Sequence, residues 1–281
     1  MHVENISYVV DEAIKQSGID IENITAVAVT KGPGLVGALL VGVSFAKALA
    51  FSLDKPLVPV NHLEGHLAIN YAEDNDLKPP FAALIISGGH THLVEVKDYT
   101  DIEILGKTKD DAVGEVFDKV ARVLGIGYPG GPIIDKMAYE GKDNIRIPYP
   151  KVEGYDFSFS GIKTHIINLK HNDKQGKLKN EDIAASFQKQ IVDILYDKTV
   201  DFLKEKKYNT LVIGGGVSAN SHIRNRFNEL EKKGIKVHYP EIKHCTDNAA
   251  MIAVQGYYNY IAGIRGDLKL NATPNLKVGE I

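Results

Sequence analysis

The chain has 281 residues, 44% hydrophobic and 25% charged, a globular composition that allows one large domain or two lobes and excludes a disordered, collagenous or coiled-coil chain. With 33 Lys and Arg against 36 Asp and Glu, the net charge is −3 and the pI near 6.4, so no global basic field holds a polyanion, and nucleic-acid binding needs a local patch or a partner. The single cysteine, Cys245, has no internal disulfide partner, and the opening residues lack a basic stretch followed by an apolar run, which points to a soluble, reducing, cytoplasmic setting.

Val3, Ile6, Val9, Val10, Ala13 and Ile14 recur at helical spacing, and Gly18 is placed to end that helix. Residues 24–30 are a short β-branched run, Lys31-Gly32-Pro33-Gly34 turns into an apolar helix from Val36, and 57–60 is a second short strand. The stretch 35–53 has membrane length, but Gly37, Gly42, Ser44, Lys47 and Ser52 make it a buried helix instead, so no membrane association is expected. Strand, turn, helix, strand is the alternation of an α/β sheet, because continuous apolar strands need both faces covered. A helix continues over 62–73.

After the Pro79-Pro80 break, 81–86, 92–97 and 102–107 read as three strands on short turns, an antiparallel meander. Helical patterns follow at 112–124, 133–139, 162–168, 181–206, 218–233 and 248–262. The proline-containing loop 141–161 and the lysine-rich connector 170–179 are expected to be mobile surfaces. Segments 81–89 and 208–216 share one form, an apolar strand running into a glycine turn. Two copies point to a duplicated fold in which each lobe presents a glycine turn to a shared cleft, where bare amides can hold phosphate.

His62 and His66 stand at i and i+4, on one helix face and close enough to share a metal ion, although the same spacing suits a surface or capping pair. Leu63 occupies the position where the zinc-protease pattern has its glutamate, which weakens a protease reading. Asp247, just before an apolar helix, is either a third ligand or an N-cap. Ser87, Gly88, Gly89, His90 and Thr91 offer amides and hydroxyls to an anionic or carbonyl ligand, or else a hairpin turn. Gly214, Gly215 and Gly216 ahead of Asn220 suit a close nucleotide or a tight turn.

Glu115, Asp118 and Lys119 read by default as solvated helix charges. Gly131 and Asp135, after Tyr128-Pro129-Gly130, are placed either to reach a ribose diol or to open a helix. Lys163, Lys170, Lys174, Lys177 and Lys179 stand against only Asp173, a basic run for phosphate or a solvated face.

Asn61-His62-x-x-Gly65-His66, Ser87-Gly88-Gly89-His90-Thr91, Phe117-Asp118-Lys119, Tyr128-Pro129-Gly130-Gly131-Pro132, the 157–163 segment Phe-Ser-Phe-Ser-Gly-Ile-Lys and the glycine turn with Val217-Ser218-Ala219-Asn220 occur in one order. Together with Cys245-Thr246-Asp247-Asn248 and the tail at 270–276, they resemble the bacterial tRNA N6-adenosine threonylcarbamoyltransferase family, formerly called O-sialoglycoprotein endopeptidases, from His2 to the C-terminus.

The resemblance implies a duplicated α/β fold of the actin, sugar-kinase and heat-shock-protein (ASKHA) type, two lobes around a nucleotide cleft. On that pattern, residues 1–80 are the remainder of an N-terminal lobe, 81–245 a second lobe with inserted helices, and 246–281 a C-terminal helix returning to the first. It implies metal ligands His62, His66 and Asp247 for one divalent ion, Fe2+ or alternatively Zn2+, and a threonylcarbamoyl-AMP pocket of Ile85, Ile86, Ser87, Gly88, Gly89, Asp118, Gly131, Asp135 and Asn220. The implied reaction moves threonylcarbamoyl to N6 of the adenosine 3′ of the anticodon in tRNAs reading codons that start with A, with AMP leaving. Implied partners are tRNA, a paralogous fold-mate and a small P-loop ATPase. Family members also carry a strand hairpin with a phosphate turn ahead of the stretch matched from His2, so an alternative is a chain that binds nucleotide and partners but is impaired in transfer.

Overall fold

The alternating apolar runs fold, in the computed structural model, which describes residues 2–281, into helices and strands in this chain order: α1 (His2–Ser17), β1 (Val27–Gly32), α2 (Val36–Ser52), β2 (Leu57–Asn61), α3 (His62–Glu73), β3 (Phe81–Ile86), β4 (Thr91–Asp98), β5 (Asp101–Lys107), α4 (Val113–Leu124), α5 (Gly130–Ala138), α6 (Ser160–Asn172), α7 (Asn180–Lys206), β6 (Thr210–Gly214), α8 (Ser221–Asn228), β7 (Lys236–His238) and α9 (Ala249–Ile261). They divide into two units, one of Met1–Pro79, Lys97–Ile102 and Asn248–Ile281, the other of Pro80–Val96 and Glu103–Asp247.

In the first unit β1 and β2 pair in parallel, from Val27 opposite Leu57 to Thr30 opposite Val60. Gly32 is required by close approach: a Cβ there would lie 2.0 Å from the Thr273 carbonyl, whose own amide donates to Lys31 O at 2.8 Å. The apolar helix α2 buries Leu39, Val43, Ala46 and Ala50, the last three packed with Val29 and Leu57. Helix α3 is buried from Leu63 to Tyr71 and packs on α9, which Gly256 brings onto β1. Among the described residues, no helix is long and apolar enough to cross a membrane.

The second unit holds a five-stranded sheet in the order β5-β4-β3-β6-β7. All six residues of β3 are buried, as a central strand requires, with β4 antiparallel on one side and β6 parallel on the other. Ile85 lies opposite Gly214, so the glycine turns that follow β3 and β6 emerge side by side from neighbouring parallel strands. This corrects the expectation of one glycine turn per lobe, since both belong to the second unit. Helices α4 to α8 contribute Phe117, Ile134, Ile162, Phe187 and Phe227 to the core that covers this sheet.

The single helix expected over 218–233 is instead a 3-10 turn at Gly216–Ala219, then α8, then a 3-10 turn at Glu231–Lys233. Asn220 is extended, with φ −61° and ψ 125°, and this breaks the helix. Strand β7 carries no apolar run to mark it in the sequence; it forms because β6 offers a parallel edge. The expected 170–179 connector is helical to Asn172, and the Asp173 carboxylate then accepts from the Lys177 and Leu178 amides. The 141–161 loop is tied down by Asp182, which accepts from Lys142 N at 2.8 Å, and by Ser186, whose hydroxyl accepts from Ile145 N at 3.1 Å.

Candidate functional site

Strand β2 ends in Asn61, whose side chain accepts from Leu63 N at 3.0 Å and so caps α3 at its first residue, His62. One turn on, His66 shares that face, and the two rings meet edge to face with centroids 4.8 Å apart. His66 is 1% exposed and His62 half-buried. Glu64 turns elsewhere, one oxygen accepting from Gly279 N at 2.9 Å, and burial pushes its carboxyl up to about 7.

The capping role weighed for Asp247 belongs to its neighbour, because Asn248 Oδ1 accepts from Met251 N at 2.8 Å. Asp247, peptide-bonded to that cap at the head of α9, is exposed, and ligand atoms of His62, His66 and Asp247 all lie within 4.8 Å of one another. Two imidazole nitrogens and a carboxylate oxygen converging in this way fit a divalent transition-metal ion.

In the second unit, Ile85 and Ile86 are fully buried strand residues that deliver the turn of Ser87, Gly88 and Gly89. Ser87 N donates to His90 O, and His90 N donates to Ser87 Oγ at 3.1 Å, closing the hairpin. A Cβ added at Gly88 or Gly89 meets nothing within 4 Å, so both glycines border open space. Gly215 is different: with φ +95° and a would-be Cβ 2.4 Å from Ile86 O, its glycine serves packing of the second turn onto the end of β3.

Asp118 on α4 accepts from Gly130 N at 2.7 Å and anchors the start of α5, where Gly131 is open to space. Asp135, one turn further, accepts from Ser221 N and His222 Nδ1, each at 2.9 Å. Burial raises its pKa, but these hydrogen bonds outweigh it and hold the carboxyl below the ordinary range. Asn220 Oδ1 accepts from Ile223 N at 3.0 Å, capping α8, and the Asn220 amide pairs with Gln188 in both directions. The structure thus ties Asp118, midway along α4, to the start of α5, where Gly131 lies, and Asp135 to the start of α8, which Asn220 caps.

His222, a lone histidine in a polar helix, carries no signal in the sequence; it packs on Tyr139 with centroids 4.1 Å apart and lines an open cavity of about 800 Å³. Asp110 and Asp111 carry no sequence signal either. Asp111 bridges Lys119 at 2.8 Å and Lys163 at 2.6 Å, while Lys170 donates to Asn180 Oδ1, so these two members of the lysine run have partners within the fold.

A family model described as tRNA N6-adenosine threonylcarbamoyltransferase matches residues 1–254. Relatives of that name include a protein of Clostridioides difficile (strain 630), 55% identical, and one of Clostridium botulinum (strain 657 / Type Ba4), 51% identical, each alignment covering 99% of this chain and 84% of the relative. Among solved structures, T.kodakarensis HypF superposes with a TM-score of 0.66 at 16% identity, over 89% of this chain and 42% of its own. Full-length HypF in its phosphate- and nucleotide-bound form gives 0.60 at 18% identity, over 77% of this chain and 38% of its own. The likeness to HypF shows the fold, the α/β ASKHA type expected from the sequence. With the family model matched over residues 1–254 and half or more of its residues identical to relatives that cover 99% of its length, the chain belongs to the tRNA N6-adenosine threonylcarbamoyltransferases, a family of transferases.

Proposed function

We propose that this chain forms the threonylcarbamoyl adenosine of tRNA by taking the acyl group from threonylcarbamoyl-AMP, attaching it to N6 of the adenosine 3′ of the anticodon in tRNAs reading codons that start with A, and releasing AMP. The observation that supports the reading is that the open Gly88 and Gly89 turn belongs to the same unit as Asp118, Gly131 and Asp135, with Asp118 and Asp135 fixed by hydrogen bonds to the starts of α5 and α8. Such a turn gives a donor phosphate backbone amides that no side chain crowds, and amides directed at a developing negative charge stabilise it without reorganising. Asp135 is held ionised by its hydrogen bonds and is suited to accept from ribose hydroxyls, and Asn220 to line the nucleoside.

His62, His66 and Asp247 would hold one divalent ion, Fe2+ by preference and Zn2+ as the alternative. When bound, that ion supplies Lewis-acid polarisation of a substrate oxygen. The adenine amine is a weak nucleophile, so holding donor and acceptor in register supplies much of the rate. The net charge of −3 favours an assembly in which a paralogous fold-mate and a small P-loop ATPase share the contacts to tRNA phosphates. The cytoplasm, where tRNA is modified, is the setting.

The test is transfer of labelled threonylcarbamoyl from its preformed adenylate to unmodified tRNA, with and without those partners and with His62→Ala as control. Label in tRNA that disappears in the control supports the reading. Retained AMP and partner binding without transfer would favour the alternative of a binding chain impaired in catalysis, and label that persists in the control would refute the metal assignment.

A further inference from the structure

Helix α6 opens without a cap of its own, since the side chain of Phe159, its N-cap residue, makes no capping hydrogen bond. The capping oxygens come from Asp110, 49 residues earlier. Its Oδ1 accepts from Phe159 N at 2.8 Å and Ser160 N at 3.3 Å, and its Oδ2 from Ser158 Oγ at 2.6 Å and Ser160 Oγ at 2.7 Å. Four donors on one exposed carboxylate bind the start of α6 to the loop in front of α4.

That loop leads directly to the glycine turn. Thr108 Oγ1 donates to Asp111 O and Thr108 N to Thr91 O, while Thr91 Oγ1 accepts from Val113 N at 2.9 Å. Gly114 N then donates to Ser87 O at 3.2 Å, and a Cβ at Gly114 would lie only 2.7 Å from that oxygen. Contact this close transmits a displacement of the loop to the turn instead of absorbing it.

We propose that Asp110 is a positioning residue for the amides of Gly88 and Gly89, acting through the loop 108–112 and the head of α4. The proposal rests on the reading of that turn as the donor-phosphate site. The hydrogen bonds also hold the Asp110 carboxyl ionised against the opposing effect of partial burial, so the clamp is closed throughout the neutral range.

The experiment compares wild type, Asp110→Ala, Asp110→Asn and the double variant Ser158→Ala/Ser160→Ala in the full assembly, measuring kinetics with threonylcarbamoyl-AMP and backbone hydrogen exchange of the free chain. Asp110→Ala is expected to raise KM for the donor about tenfold with KM for tRNA unchanged, and to quicken exchange at residues 87–91 while β3 and α7 stay protected. Asp110→Asn, which keeps an acceptor for Phe159 N, should recover part of the loss, and the serine double variant should move the same way by less. Unchanged exchange at 87–91 with donor KM within about twofold of wild type overturns the proposal, as does exchange quickened across the whole sheet, which would mean a merely structural role. Quickened exchange confined to the turn in Asp110→Ala, together with a wild type that itself transfers nothing, upholds the positioning and refutes the transferase reading instead.

Discussion

The imidazoles of His62 and His66 stand edge to face with their planes at 79°, one helical turn apart, and Asp247 brings a carboxylate to within 4.8 Å of both. On the proposed metal site, removing one of the three side chains would leave too few donors to hold an ion against solvent. Metal analysis after dialysis should find His62→Ala and Asp247→Ala at no more than about a tenth of wild-type occupancy, with transfer reduced at least about 100-fold. The fold survives, because Asn61 and Asn248 supply the caps of α3 and α9.

Gly215 and Gly216 adjoin each other and should respond oppositely to alanine. The first has φ +95° and no room, the Cβ arriving 2.4 Å from Ile86 O, whereas the second faces open space. Urea titration should find Gly215→Ala destabilised by roughly 2 to 4 kcal/mol and Gly216→Ala within about 0.5 kcal/mol of wild type.

His92 on β4 gives the second unit a dependence on pH. Burial, aided by the charges of His90 and Lys107, lowers its pKa from 6.5 to about 4. Between those values the unfolded chain takes up a proton that the folded chain refuses, so stability falls as pH drops from 6.5 toward 4. The loss is on the order of 2 kcal/mol, and it should be absent in His92→Gln when unfolding midpoints are compared across this window.

Asp135 ties α5 to the first turn of α8 through Ser221 N and His222 Nδ1. Asp135→Ala removes the acceptor of the Ser221 amide and the His222 imidazole, and calorimetry should find AMP bound about tenfold more weakly, with stability lower by about 1 kcal/mol. His222→Ala keeps the carboxylate and the Ser221 contact, so it should cost less AMP affinity; an equal loss in both would assign the effect to the ring.

Local sequence determined most of the elements, because periodicity and turn chemistry act over a few residues. Helix α3 and strand β3 run over 62–73 and 81–86 as expected, the strand directly after the Pro79-Pro80 break, and His62 and His66 fall on one face from helix geometry alone. Tertiary structure decided what depends on partners distant in the chain. It separated β6 from any other lobe by pairing it with β3, so that both glycine turns share a unit. It brought Asp247 beside the histidines, which lie far earlier in the chain, and gave the cap of α6 to Asp110. It also made β7 out of three residues without an apolar run, by pairing them with the edge of β6 and packing Val237 against the core. A capping oxygen, a strand edge and a metal ligand are each satisfied by whichever group arrives in space, and no window along the chain contains that choice.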